Sequence, residues 1–198
     1  MKSRYLIDPN DISKFNRTDE ELELFILFSV CVAGKTAKQI KVALAEFLER
    51  GSKNSTNKSP FAIIDQMVKN NTLFDNIKNS SLGKHYVLYR AFSELVKYTK
   101  NVINLRTCTP QELEQIHGIG FKTSRFFIVH SRPSQKYAIL DTHILSYLRE
   151  KGYDNIPKIT PGSTKKYNEI EMIFLKELDK ENKSAAQFDL EIWNERSR

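Results

Sequence analysis

Cysteine is nearly missing from this chain: 198 residues hold 2 of them, Cys31 and Cys108. Two thiols make no disulfide framework. They also exclude a cysteine-ligated zinc site or iron–sulfur cluster. Each is expected as a buried thiol, which points to an intracellular protein, cytoplasmic or nucleoid-associated. No apolar run approaches the length of a membrane span. The opening "MKSRYLIDPNDISKF" lacks the apolar stretch of a secretory leader. Convincing strands, repeats and low-complexity tracts are absent too. With 40% hydrophobic residues, the chain can bury a core as one large domain or two small lobes.

Charge is plentiful and unevenly placed. The formal net charge is +7. Residues 1–34 carry net −2, residues 35–166 net +12 and residues 167–198 net −3. The middle therefore holds more than the whole excess, as expected of a phosphate-binding face. A plain lysine-rich solvated surface would give the same balance.

Hydrophobic spacing predicts an all-α fold. In "DEELELFILFSVCV" (19–32), Leu22, Phe25, Ile26, Ser29 and Val30 form a stripe. In "TAKQIKVALAEFLER" (36–50), Ile40, Leu44, Phe47 and Leu48 do likewise, and Gly51 is read as the stop. A polar connection, 51–60, follows. Helices are expected near 60–69, 71–79 and 83–99. "TPQELEQI" (109–116) starts with a capping signal, Thr109 and Glu112 around Pro110. Further helices are expected from Phe121 to about His130, over 142–151 up to Gly152, and over 163–179 and 183–195. "YAIL" (137–140) reads as a short apolar extended piece or turn.

The turn "HGIGFKT" joins two of these helices. Gly118 and Gly120 are expected to allow positive φ and a close backbone approach. The next helix offers free N–H groups and a positive dipole end, a site for a phosphate oxygen. Such a contact positions DNA without reading sequence. The turn carbonyls could also hold a monovalent cation, potassium or sodium. Many helical proteins turn this way for packing alone. "AGKT" (33–36) is not a nucleotide loop. Ser29 stands where the first glycine is needed, and no strand precedes it.

Lys122 follows the turn, and Asp141 in "LDTH" stands nineteen positions later. "IHGIGFKTSRFFIV…AILDTHI" resembles the core of the helix-hairpin-helix DNA glycosylases, the superfamily of endonuclease III and 8-oxoguanine DNA glycosylase. The spacing is closer to the 8-oxoguanine branch, and "KKYNEIEMIF" (165–174) and "FDLEIW" (188–193) resemble its archaeal-type members. That resemblance implies Lys122 and Asp141 as the catalytic pair. Gly118, Gly120, Thr123 and His143 would meet the DNA backbone. Lys35 and Thr36, with Lys38, would stand at the turn that fills the gap left by a flipped base. Trp193 and Phe126 would line the base pocket.

The chemistry suits the residue types. A lysine at a helix N-terminus, partly buried, can have its pKa lowered and attack C1′ of a deoxyribose. A carboxylate beside it stabilises the developing sugar cation and can shuttle protons. No metal and no cofactor is required. The plainer alternatives are a lysine that only touches phosphate and an aspartate that only caps a helix. His117 and His130 default to core or surface.

The expectation is two helical lobes, 28–132 and 1–27 plus 133–198, with the hairpin at the groove between them. The expected function is a bifunctional N-glycosylase and β-eliminating AP lyase acting on an oxidised purine, 8-oxoguanine. Its partner would be duplex DNA with the damaged base flipped out, bound by a monomer away from membranes. Another damaged or modified base, or a non-catalytic DNA-binding hairpin, are the alternatives.

Overall fold

A computed structural model of the chain describes residues 3–9 and 11–196. Ten helices and no strand occur among these residues. They are α1 (Asp19–Val32), α2 (Ala37–Ser52), α3 (Pro60–Lys69), α4 (Leu73–Lys78), α5 (His85–Thr99), α6 (Pro110–Leu113), α7 (Phe121–Ser131), α8 (Thr142–Glu150), α9 (Thr164–Glu181) and α10 (Ala185–Arg196). The all-α expectation holds. No helix among the described residues is long and apolar enough to cross a membrane.

Helix α1 begins with a double cap. Thr18 accepts from Glu21 N, and the Glu21 carboxylate accepts from Thr18 N. The apolar stripe expected on α1 is too narrow a description. Every residue from Leu24 to Cys31 is buried, because α2, α3, α5 and α7 all pack against this helix. A helix apolar on all sides belongs at the centre of a core.

Gly51 does not stop α2, contrary to the sequence reading; the helix runs on to Ser52. A Cβ at Gly51 would stand 2.1 Å from Met67 Cε and 2.6 Å from Ile63 Cγ2. This glycine is a crossing point where α3 presses onto α2. The polar connection after it is pinned where Tyr5 Oη donates to the Lys58 carbonyl, 2.8 Å away.

Buried side chains fall into two clusters. The first holds Tyr5, Ile12 and the cores of α1 to α5, and reaches Ile128. The second runs from Val129 through α8, α9 and α10 to Ile192. Helix α7 contributes to both, and partly buried Phe126 touches both. Tyr5, Ile12 and the buried residues of α1 pack in the first cluster.

Candidate active site

The sequence order Lys122 to Asp141 becomes a contact through the segment 137–140, which is extended without being a strand. Ala138, Ile139 and Leu140 are fully buried. Their backbone must find partners there, and helix α9 supplies them from side chains. Tyr167 Oη donates to the Ala138 carbonyl at 2.7 Å and accepts from Leu140 N at 3.2 Å. Glu171 accepts from Ala138 N at 2.9 Å. Thr160 Oγ1 donates to the Leu140 carbonyl at 2.7 Å.

The same Glu171 oxygen accepts from Arg125 Nε at 2.9 Å, while Arg125 Nη1 reaches Glu114 at 2.6 Å. Arg125 is 2% exposed, and its guanidinium lies 4.4 Å from the Tyr167 ring centroid. Burial works against that charge, but Glu171 and then Glu114 hold the guanidinium above its ordinary pKa. A buried charge is tolerated only when paired in this way. Helices α6, α7 and α9 and the segment before Asp141 are thus tied through one cation. Sequence reading missed Arg125, Glu114, Tyr167 and Glu171. The signal available was a mid-helix arginine among apolar residues and acids at helical spacing elsewhere.

Asp141 sits at the end of this held segment, as the N-cap of α8. Its Oδ1 accepts from His143 N at 2.9 Å and from Ile144 N at 3.0 Å. Its other oxygen, Oδ2, lies 3.7 Å from Lys122 Nζ. One carboxylate is therefore a helix cap and a lysine partner at once. The Lys122 side chain is 38% exposed and that of Asp141 15%, so the pair opens to solvent on the lysine side.

Lys122 is the second residue of α7. The turn before it is shaped by Gly118, at φ +83. A Cβ there would also meet Val87 Cγ1 at 2.9 Å, so this glycine seats the hairpin on α5. Glu94 of α5 accepts from His117 N at 2.6 Å. Gly120 corrects the sequence reading. Its φ is −100 and its ψ −176, extended backbone open to any residue, and nothing lies within 4 Å of its missing Cβ. Its contribution is open space in front of the α7 N-terminus, which has no side-chain cap. Thr123, in that first turn, is buried. The Ile116 carbonyl accepts from Ile119 N and the Gly120 carbonyl from Ser124 N.

The other expected positions scatter around this centre. His143, on α8, meets Trp193 of α10 with ring centroids 6.3 Å apart, edge to face. Trp193 is 46% exposed. Phe126, one turn after Lys122, is half-buried between Phe25 (5.7 Å) and His130 (4.9 Å). Lys35 donates to the Leu82 carbonyl at 2.5 Å, and Thr36 Oγ1 to Gln39 Oε1 at 2.6 Å. Thr36 is tied within its own turn, Lys35 reaches across to the segment before α5, and Lys84 from there donates back to the Ala33 carbonyl.

One buried group was not anticipated. His130, with its side chain fully buried, faces Ser13 Oγ at 2.7 Å through Nδ1 and Asp189 Oδ2 at 3.1 Å through Nε2. Its carbonyl accepts from Lys14 N at 3.2 Å and Arg17 Nη1 at 2.7 Å. Burial pushes the Asp189 carboxyl above its usual range, against the pull of His130; Asp141 and Lys122 also act on it.

An all-α chain in which a glycine turn delivers a lysine onto a helix-capping aspartate has the helix-hairpin-helix arrangement of the DNA glycosylases. The sequence model of the 8-oxoguanine DNA glycosylase family matches residues 8–183, and the chain belongs to that family. It is also similar to the 8-oxoguanine DNA glycosylase/AP lyase of Methanocaldococcus jannaschii, with 34% identity over 113 residues. Those residues are 56% of this chain and 53% of that protein, so the match spans about half the length of the relative. No solved structure matches the chain.

Proposed function

We propose that this protein is a bifunctional DNA glycosylase and AP lyase that removes 8-oxoguanine through a lysine Schiff base. The observation that carries the reading is the approach of Lys122 Nζ to Asp141 Oδ2, 3.7 Å, at the mouth of an uncapped helix N-terminus. Family membership and the name of the archaeal relative point to the same substrate.

In this reading the α7 N-terminus and the Gly118 turn hold a phosphate, and that grip sets the sugar over Lys122. The neutral amine attacks C1′ as the C1′–N9 bond breaks. The bonding electrons leave with the base, which takes up a proton. Asp141 Oδ2 receives the ammonium proton beforehand and passes it to the departing base, so that the ionised carboxylate then faces the positive charge on the sugar. The ammonium formed at C1′ gives a proton to O4′ as the C1′–O4′ bond opens, leaving a protonated Schiff base. This acidifies C2′, which loses a proton, and the C3′–O bond breaks to expel the 3′ phosphate by β-elimination. Oδ1 stays on the α8 amides throughout, so the carboxylate cannot swing away.

Trp193 offers an exposed ring for stacking on the extruded base, and His143 beside it meets the backbone. In this reading DNA would lie in a groove between the two helical lobes, and the protein would act as a monomer on the duplex. Turn carbonyls not used within the hairpin would hold a potassium or sodium ion, which would supply further positive charge to the phosphate grip; binding in potassium chloride against choline chloride tests it.

Borohydride trapping tests the proposal. Duplexes carrying 8-oxoguanine or an abasic site should give a covalent adduct. No adduct with either would overturn the Schiff-base mechanism. An adduct at abasic sites but none at 8-oxoguanine would overturn the substrate.

A further inference from the structure

The Ser13–His130–Asp189 chain has no part in the chemistry just described, yet it is buried beside it. Ser13 lies before α1, His130 at the end of α7 and Asp189 on α10, so three distant stretches of sequence converge on one imidazole. An ionised carboxylate only accepts hydrogen bonds, so Nε2 must carry the proton given to Asp189. Ser13 then closes the other ring nitrogen. The ring has no freedom left: Phe126 packs edge-on against it at 4.9 Å, and Arg17 and Lys14 hold its backbone carbonyl.

Asp189 uses only Oδ2 in this chain. Oδ1 accepts no hydrogen bond among the described residues, and the side chain keeps 11% of its surface. It lies four positions before Trp193 on one helix, so the two share a face. That face packs toward α7 and α8, where Lys122, Asp141 and His143 stand. Asp141 and Lys122 are close enough to act on the Asp189 charge.

We propose that Asp189 is a specificity-determining residue whose free Oδ1 accepts an N–H of the extruded base, and that His130 and Ser13 are positioning residues that aim it. The inference rests on the glycosylase reading above. A buried acceptor selects a base that donates toward it and rejects one that presents a lone pair, because a polar group is otherwise left unpaired. 8-Oxoguanine donates from N1 and its 2-amino group. 8-Oxoadenine has a lone pair at N1 and only C–H at position 2. The N-terminal segment thereby becomes part of the base pocket through His130.

The test compares excision of 8-oxoguanine and 8-oxoadenine from otherwise identical duplexes, as the ratio of kcat/KM values. The wild type should favour 8-oxoguanine by at least about tenfold, the effect of roughly 1.4 kcal/mol. His130→Leu and Ser13→Ala should lower that ratio mainly through KM for 8-oxoguanine, and His130→Gln, which can still donate to Asp189, should restore most of it. Asp189→Asn should erase or invert it. Equal losses on both bases, or a ratio unchanged in Ser13→Ala, His130→Leu or Asp189→Asn, would overturn the inference. Borohydride trapping at an abasic site, which has no base to read, is run on every variant. Wild-type protein that releases neither base and traps nothing defeats the glycosylase reading, whereas full trapping with an unmoved ratio defeats only this one.

Discussion

Asp141 divides its carboxylate between two tasks. Oδ1 caps α8 through His143 N and Ile144 N, and Oδ2 faces Lys122 Nζ at 3.7 Å. The helix that Asp141 starts is what fixes the oxygen that faces Lys122. A free aspartate rotamer would have to be ordered again at each turnover, and here the ordering is supplied by folding.

Asparagine and alanine at position 141 should therefore separate the two tasks. Asn keeps an oxygen for the cap, so Asp141→Asn should leave thermal stability nearly unchanged while base release slows by about a hundredfold or more. Asp141→Ala loses both and should also cost about 1 kcal/mol of stability. Thermal melts beside single-turnover kinetics read the difference. Equal stability losses in the two variants would show that the cap is not held by Oδ1.

Lys122→Gln should abolish the borohydride adduct. The side chain is 38% exposed and forms its ion pair with Asp141, so folding should be preserved. Affinity for a duplex with a stable abasic analogue should change by less than about one phosphate contact's worth, a salt slope change of roughly 1. Trapping that survives would move the nucleophile to another lysine.

Binding to duplex DNA should weaken steeply with salt. Residues 35–166 carry net +12, and each phosphate neutralised adds about 0.9 to the slope of log K against log salt. A flat response would place the basic middle away from the DNA.

Removing Glu171 should do more damage than its distance from Lys122 suggests. Glu171→Gln weakens the anchor of buried Arg125 and of Ala138 N. Breaking a buried pair from one side costs roughly 3–5 kcal/mol. Chemical denaturation should show that loss. Any protein still folded should release base slowly, because the segment carrying Asp141 is loosened. A stability loss below about 1 kcal/mol would mean that the Arg125 network is not what holds this segment.

Both thiols should be silent in the folded state. Burial pushes the Cys31 thiol up to about 12 and raises that of Cys108 as well. At pH 8 each stays protonated and covered, so a thiol-reactive dye should label neither until denaturant is added. The sign follows from burial: the charged thiolate is disfavoured in the fold, so reactivity should emerge only on unfolding or well above the usual thiol range. Rapid native labelling would contradict the buried placement of Cys31.

The local pieces of this protein were legible in its sequence. Apolar spacing marked helices α1, α2, α5 and α7 to α10 within a few residues. Thr109 and Glu112 announced the capping box that starts α6, and the hydrogen bonds at both ends are present. The pair Lys122 and Asp141 was also readable, through the resemblance to a known family; the helix start and the cap that carry them are local events, but their meeting is not. Gly51 shows the limit of that reading. It looked like a stop, and only the pressure of Met67 and Ile63 from α3 shows why a glycine sits inside a helix. Gly120 shows it again, since its spacing suggested an unusual turn and its backbone is ordinary. What the tertiary structure alone decided is which polar groups meet inside: Arg125 with Glu114, Glu171 and Tyr167, and His130 with Ser13 and Asp189. Burial removes water from these groups and forces each to take a partner. The partner is whichever group the packing of other helices brings within about 3 Å, and no local pattern of residues encodes that meeting.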